Sequence, residues 1–266
     1  AASIRRTAKE SGLELSDFSG AGMGFPGPVL PDGHCEVCVN LGWKAGNPQQ
    51  ELSRLLDGMT VKSGNDANVA ALGEMWQGGG KGYKNLVMVT LGTGVGGGII
   101  LNEKIWTGEQ GVGGEIGHIT VNHDEIEACN CGQYGCLEQY TSATGIVRLA
   151  KRKLAKSTEE TSIREIPNLT AKDVFDAAKA GDAIAIGLVD EVCEILGSTL
   201  SNIACVVNPE IIVIGGGVSK AGDILLDNIK KHFVETSFMA CRETKFALAG
   251  LGNDAGMYGC VEMLLD

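Results

Sequence analysis

Gly117-His118 is followed, after ten residues, by Cys129-Asn130-Cys131-Gly132-Gln133-Tyr134-Gly135-Cys136 and then by Leu137-Glu138. One imidazole and three thiols are the four ligands that a tetrahedral zinc ion takes, and the glycines between them permit tight turns. A disulfide or three unrelated buried thiols are the alternatives, although cysteines at i and i+2 rarely meet disulfide geometry without strain. The stretch therefore predicts a structural Zn²⁺ bound by His118, Cys129, Cys131 and Cys136, which would shape a loop and would not activate water.

The composition of the whole chain excludes several classes of protein. The chain has 266 residues, of which 44% are hydrophobic, and no apolar run is long enough to span a bilayer. Its net charge of −11 argues against a nucleic-acid partner, which would need a basic face. Nine cysteines, an odd number without the spacing of a disulfide framework, indicate a reducing compartment. We therefore expect a cytoplasmic enzyme with neither membrane nor nucleic acid as partner.

Strands alternate with helices along the chain. Buried strands are predicted at Leu86–Leu91, Gly97–Leu101 and Ile211–Ile214, and a long helix runs from Asp182 to about Val207, where Asn208-Pro209 ends it. This alternation predicts an α/β fold with mixed sheets.

Two glycine-rich stretches lie at strand ends. Gly92 to Gly98 contains five glycines in seven positions between two apolar runs, with Thr93 as a hydroxyl donor. Such a turn lets backbone N–H groups converge on phosphate, whereas the simpler interpretation is an ordinary hairpin turn. Gly215-Gly216-Gly217 lies between a strand and a helix, where α/β sheets bind nucleotides, although glycines there also serve close packing. Together they suggest one loop for phosphates and one for a nucleoside.

Asn65-Asp66 follows a strand predicted at Met59–Lys62 and begins a helix predicted to run to Trp76. Helix capping alone explains an Asn or Asp at this position. In a phosphotransferase, an aspartate placed here can also accept the proton of an attacking hydroxyl.

Two carboxylates and an imidazole flank the cysteine stretch. Glu115 and His118 precede it and Glu138 follows it. A loop fixed by zinc would aim these side chains at sugar hydroxyls, with the second nitrogen of His118 facing a ligand. Spacing alone is equally consistent with two solvated surface acids.

The pair Cys35 and Cys38 in His34-Cys35-Glu36-Val37-Cys38 could suggest a second metal site. Two thiols in a hairpin without a second pair nearby make a poor site. We expect this stretch to be a surface turn.

These features together resemble the ROK family of sugar kinases and, within it, the bacterial glucokinases. The resemblance runs along almost the whole chain, which makes it more specific than any single motif. It is carried by Gly24-Phe-Pro-Gly-Pro28, Asn40-Leu-Gly-Trp43, Asn65-Asp-Ala-Asn-Val-Ala-Ala-Leu-Gly-Glu74, Leu91-Gly-Thr-Gly-Val-Gly-Gly-Gly98, Gly114-Glu-Ile-Gly-His118, Cys129-x-Cys131-Gly-x-x-Gly-Cys136-x-Glu138 and Gly215-Gly-Gly-Val-Ser219.

The resemblance implies a two-lobed fold of the ribonuclease-H type, similar to hexokinase and actin. Residues 1–65 would be the remainder of a small N-terminal lobe, with the helix at 254–266 packing back on it. Residues 66–253 would form the large lobe with the phosphate, zinc and adenosine loops. The family's Asp-x-Gly-Gly-Thr hairpin is not in this sequence, so we expect it to precede Ala1, and we expect the present segment alone to be inactive and unstable.

The resemblance also implies an activity, which is ATP- and Mg²⁺-dependent phosphorylation of glucose at its 6-hydroxyl in glycolysis, by a homodimer. Asp66 would be the general base, and Asn65, Asp66, Glu115, His118 and Glu138 would bind the sugar. ATP phosphates would meet Thr93 and Gly94, and the adenosine would meet Gly216 and Gly217.

Two alternatives remain open within the same family. One is a sugar-sensing transcriptional repressor, which would require a helix-turn-helix before the small lobe. The other is a kinase for another hexose, such as fructose, mannose or an N-acetylhexosamine.

Overall fold

The structure is a computed structural model that describes residues 1–36, 38 and 41–265, so Asn40 of the Asn40–Trp43 motif lies outside the described residues. The strands are β1 (Ala21–Phe25), β2 (Val61–Asn65), β3 (Leu86–Leu91), β4 (Val95–Leu101), β5 (Lys104–Ile105), β6 (Ile211–Gly215) and β7 (Lys245–Leu248). The helices are α1 (Ala2–Glu10), α2 (Pro48–Leu55), α3 (Asp66–Gln77), α4 (Glu138–Thr141), α5 (Ala143–Lys156), α6 (Ala171–Lys179), α7 (Ala183–Val207), α8 (Asp223–Thr236) and α9 (Ala255–Leu265). This alternation confirms the predicted α/β class.

The chain divides into two compact units. The first unit contains Ala1–Lys84, Gly98–Gly114 and Gly250–Asp266, and the second contains Asn85–Gly97 and Glu115–Ala249. Neither unit is one continuous segment, because the chain passes from one to the other four times.

The first unit is built on the parallel pair β1 and β2, with Ala21 opposite Val61 and Phe25 opposite Asn65. Helices α3 and α9 pack on each other and on this pair. Their backbones come so close that a Cβ on Gly259 would clash with the Val69 carbonyl. Only glycine permits such an approach, so the helix crossing depends on it.

Glu74 closes the end of α3 in the same unit. Its side chain is fully buried, and its carboxylate accepts hydrogen bonds from the backbone N–H groups of Gly79, Gly250 and Leu251 at 2.7, 2.8 and 2.8 Å. A buried carboxylate needs such donors. Glu74 thereby fixes the backbone where the chain returns to the first unit.

A mixed five-stranded sheet has the order β5-β4-β3-β6-β7. Strands β3, β6 and β7 pair in parallel, and β4 pairs with β5 in the antiparallel direction. Helices α6, α7 and α8 pack together in the second unit. Helix α7 confirms the predicted bounds, since Asp182 caps its first turn and Asn208 ends it in the left-handed conformation, with φ of 49°.

The stretch predicted as a surface turn is partly wrong. Cys35 and Cys38 are buried and form an apolar cluster with Phe25 and Val29. Reduced cysteine behaves as a small hydrophobic side chain, so burial suits both thiols without any metal. Val37 of the same stretch lies outside the described residues.

Across the described residues, no helix combines the length and the apolar character that crossing a membrane requires.

Candidate active site and metal-ligand cluster

Asn65 caps helix α3 in the first unit. Its side-chain oxygen accepts hydrogen bonds from the N–H groups of Ala67 and Asn68 at 3.0 and 3.1 Å, and its amide nitrogen donates to the Gly27 carbonyl at 3.1 Å. All of its polar atoms are thus held in place, and the capping interpretation of this residue is confirmed.

Asp66 is the first residue of α3 and is exposed. Its Oδ1 atom accepts a hydrogen bond from the Ala67 N–H at 2.9 Å. The partial positive charge of the helix N-terminus attracts an anion at this position. The structure thus presents to solvent a carboxylate with the chemistry that a general base needs.

Asn68, which sequence reasoning missed, lies two residues after Asp66 in the first turn of α3. It is almost fully buried, and its amide nitrogen donates to the Gly113 carbonyl at 3.4 Å. Gly113 lies two residues before Glu115. The signal was present in the sequence, because Asn68 repeats the amide of Asn65 three residues later in the same motif.

The glycine turn, Gly92–Gly94, joins β3 to β4 in the second unit. The Gly92 N–H donates to the Gly94 carbonyl at 2.9 Å, and Thr93 is exposed at the tip. The Thr144 hydroxyl donates to the Thr93 carbonyl at 2.8 Å, which fixes the turn against the start of α5.

Glu138, the first residue of α4, connects this turn to the cysteine stretch. Its Oε2 atom accepts a hydrogen bond from the Val95 N–H at 2.9 Å, and its Oε1 atom lies 3.8 Å from the Cys129 sulfur. Glu138 is only partly exposed, so it is not a freely solvated surface acid. Glu115 and His118 are more open, with side chains 46% and 39% exposed and 3.9 Å between their nearest oxygen and nitrogen atoms.

The metal-ligand cluster consists of His118, Cys129, Cys131 and Cys136. One ligand atom from each lies within 4.8 Å of all the others. Isolated antiparallel bridges join Thr120 to Cys136 and Ala128 to Tyr134, so backbone pairing folds the loop on itself. The structure therefore brings together the four residues that the sequence spacing selects.

The pKa values of these thiols indicate whether the cluster suits a metal cation. Burial, followed by the neighbouring Cys131 and Cys129 thiols, raises the pKa of Cys136 to about 12, and burial also raises the pKa of Cys129. Protein zinc sites bind thiolate and not thiol. Three thiolates packed this closely repel one another. A cation bound among them would offset this repulsion and stabilise the ionised form of all three cysteines. The donor set suits Zn²⁺ and, being soft, does not suit Mg²⁺.

The second glycine loop follows β6. Gly216 has φ of 82°, and a Cβ placed there would lie 2.5 Å from the Leu91 carbonyl oxygen. Gly217 begins a short 3₁₀ helix that runs to Ala221. Gly217 also lines a groove of about 310 Å³ in the second unit. The other lining residues that define this groove come mainly from α6 and the 3₁₀ helix, among them Thr170, Phe175, Lys179, Val218 and Lys220.

An ionic cluster around the buried carboxylate of Glu125, in the stretch between His118 and Cys129, was also missed from sequence. Glu125 pairs with Arg148 and Arg152, and the Tyr140 hydroxyl donates to Glu125 at 2.6 Å. These partners are 15 to 27 residues away from Glu125 along the chain, so no local pattern could have identified them.

The chain is similar to known proteins in both sequence and structure. The family model described as "ROK family" matches residues 3–266. A glucokinase of Halalkalibacterium halodurans is 47% identical over 92% of this chain and 75% of that protein, and one of Thermotoga maritima is 36% identical over 98% and 84%. The crystal structure of a ROK family glucokinase from Streptomyces griseus in complex with glucose and AMPPNP superposes with a TM-score of 0.78. It is 31% identical and covers 98% of this chain and 86% of that one.

Proposed function

The chain belongs to the ROK family, and we propose that it is an ATP-dependent kinase that phosphorylates glucose at its 6-hydroxyl. The observation that carries the proposal is the 47% identity to a glucokinase over 92% of the chain. The exposed Asp66 at the start of α3 supports it, because phosphoryl transfer to a hydroxyl needs a proton acceptor.

In the proposed reaction, the 6-hydroxyl oxygen attacks the γ-phosphorus of ATP. The new oxygen–phosphorus bond forms as the bond to the β–γ bridging oxygen breaks, and ADP leaves. Asp66 accepts the hydroxyl proton, which makes the oxygen a better nucleophile. When bound with the nucleotide, Mg²⁺ would supply positive charge to the phosphates.

We assign the binding of sugar hydroxyls to Asn65, Asp66, Glu115, His118 and Glu138. Carboxylates and amides suit this task because they exchange hydrogen bonds with neighbouring hydroxyls. The fixed position of Glu138 against Val95 supports its role, since a side chain already held in place loses little freedom on binding.

We assign the phosphates to Thr93 and Gly94 and the adenosine to Gly216 and Gly217. The exposed hydroxyl of Thr93 and the backbone of the glycine turn are suitable anion donors. The groove beside Gly217 lies just beyond the carboxyl end of β6, which is where open α/β sheets bind nucleotides.

We further propose that His118, Cys129, Cys131 and Cys136 hold a structural Zn²⁺, which shapes the loop before Glu138. Nine cysteines that form no disulfide among the described residues support a cytoplasmic protein. A homodimer acting in glycolysis follows from the family resemblance.

The function is tested by following ADP release with glucose and ATP for the purified full-length protein and for its Asp66→Asn variant. Loss of the proton acceptor should reduce kcat by roughly 10²–10⁴-fold, the usual contribution of general-base catalysis, while glucose binding measured by calorimetry is largely kept. Asp57→Asn, an exposed carboxylate of the same unit, is the matched control and should retain normal turnover. Near-normal turnover of Asp66→Asn would exclude the proposed role. Glucose binding without turnover in the unmutated protein would favour the sugar-sensing repressor.

A further inference from the structure

The stretch between His118 and Cys129 contains a carboxylate that faces inward. The Glu125 side chain is 1% exposed, whereas the next residue, Ile126, is 86% exposed. A loop normally turns its apolar side chain inward and its charge outward. The reversal means that specific partners hold Glu125.

Two arginines on successive turns of α5 supply those partners. Arg152 donates to both carboxylate oxygens of Glu125, each at 2.9 Å, and Arg148 binds the same carboxylate beside it. The paired hydrogen bonds from Arg152 match the planar geometry of a carboxylate. They hold the pKa of Glu125 well below its usual range, and burial opposes them only in part.

Tyr140 extends the cluster into helix α4. Its hydroxyl donates to Glu125 Oε2 at 2.6 Å and accepts from the Asn122 amide at 2.9 Å. The Arg148 guanidinium lies 5.2 Å from the centre of the Tyr140 ring. Tyr140 is therefore held by its ring and by its hydroxyl.

Helix α4 begins at Glu138, two residues before Tyr140. A short and continuous path thus runs from the buried Glu125 through the Tyr140 hydroxyl to the helix that carries Glu138. From Glu138 it continues to the Val95 N–H at the start of β4, directly after the glycine turn, and to the Cys129 sulfur in the metal-ligand cluster.

We propose that Glu125 is a positioning residue, which holds α4 through Tyr140 so that Glu138 keeps its orientation toward the sugar. The inference rests on the proposed sugar-binding role of Glu138. It adds that the ionic cluster of Glu125, Arg148 and Arg152, and not the metal alone, fixes the Glu138 carboxylate. Glu127, whose side chain is 57% exposed, binds the same two arginines from the solvent side and makes no contact with Tyr140 among the described interactions.

The test compares Glu125→Gln and Tyr140→Phe with the matched control Glu127→Gln. Tyr140→Phe removes only the hydroxyl that joins the cluster to α4 and leaves both arginine pairs in place. Side chains that orient metal ligands from behind cost roughly 10–100-fold when mutated, and we take the same scale for a side chain that orients Glu138. We therefore expect both test variants to raise KM for glucose about tenfold, at the low end of that range, with KM for ATP unchanged. Glu127→Gln should leave both constants unchanged.

A second readout does not depend on turnover. Zinc release to a chelator, followed with a metal-sensitive dye, should be several-fold faster in Glu125→Gln than in Glu127→Gln. If Glu125→Gln and Tyr140→Phe only lower the melting temperature and match Glu127→Gln in KM for glucose, the cluster is a structural anchor and the proposal is overturned. If Glu125→Gln does not fold, Tyr140→Phe decides the outcome.

Failure of the proposed function gives a different pattern. In that case the unmutated full-length protein itself would not phosphorylate glucose. Glucose binding measured by calorimetry then decides the inference, and an equal Kd for glucose in Glu125→Gln and Glu127→Gln would overturn it.

Discussion

The Glu138 carboxylate accepts a hydrogen bond from the Val95 N–H at 2.9 Å, directly beside the α-carbon of Gly94. A Cβ added at Gly94 would clash with the Oε2 atom of Glu138, whereas one added at Gly92 would have its nearest neighbour 4.0 Å away. The position of the Glu138 carboxylate thus requires a glycine at residue 94 but not at residue 92.

Gly94→Ala should therefore weaken glucose binding, because Glu138 must leave Val95 to relieve the clash. We expect an increase in the glucose Kd of about tenfold, the factor that corresponds to about 1.4 kcal/mol. Gly92→Ala is the control and should change the Kd by less than about twofold, within the variation expected for surface substitutions. Calorimetry without nucleotide measures both and avoids effects on ATP. Equal values for the two variants would contradict the arrangement.

Gly216→Ala should destabilise the protein. The backbone there has φ of 82° and ψ of −179°, a region open almost only to glycine, and the new Cβ would lie 2.5 Å from the Leu91 carbonyl oxygen. The strain alone should cost about 1–3 kcal/mol of unfolding free energy. Gly217→Ala, where a Cβ meets nothing within 4 Å, should leave urea unfolding unchanged. Comparable loss in both variants would show that the loop does not have this backbone conformation.

Asp182 should make helix α7 sensitive to acid. Its carboxylate accepts from the Ala185 and Ser162 N–H groups at 3.0 and 2.6 Å. Burial opposes ionisation, but these bonds together with those from the Ser162 and Thr161 hydroxyls prevail and lower its pKa from 3.8 to about 2. Because the folded pKa is the lower one, this stabilisation is present above pH 4 and is lost as the pH falls from about 4 to 2.

Asp182→Ala should accordingly lower the unfolding free energy by about 1 kcal/mol at neutral pH, as loss of an N-cap does. The difference from the unmutated protein should shrink through the acid window. Asp227→Ala, an exposed carboxylate on α8, serves as the control. A difference between Asp182→Ala and the unmutated protein that stays constant down to pH 2 would count against the pKa shift.

Cys136→Ser should release the proposed zinc. Elemental analysis should find one zinc per chain in the unmutated protein and far less in this variant. The pKa of the Cys136 thiol without metal is raised to about 12, so zinc must displace its proton on binding. Zinc affinity should therefore fall as the pH is lowered. Cys193→Ser removes another buried thiol, on α7, and should retain full zinc content. Equal zinc in the two variants would refute the ligand set.

Features with local causes were predictable from the sequence. The start of α3 at Asp66 and both ends of α7 depend on side chains within a few residues, namely the caps Asn65 and Asp182 and the left-handed Asn208. The proximity of His118 to the three cysteines was also predictable, because the glycines between them permit a compact loop.

Features that depend on distant partners were not predictable. The strand expected at Met59–Lys62 lies at Val61–Asn65, because pairing with β1 and not local propensity sets its bounds. From the sequence alone, Glu125 resembles a solvent-exposed acid, because its partners Arg148 and Arg152 are distant along the chain. The contact between Glu138 and Val95 likewise joins residues 43 positions apart, which spacing alone cannot reveal.

The packing of α9 against α3 has a consequence for the order in which the protein is made. A ribosome delivers α3 early, then every residue of the second unit, and only afterwards α9. The second unit can therefore complete its core while α3 still waits for its helical partner. During that interval the face of α3 around Val69 and Gly73, which α9 later covers, is open to chaperones and to other nascent chains. Residues of the first unit are thus synthesised both before and after the main part of the second unit.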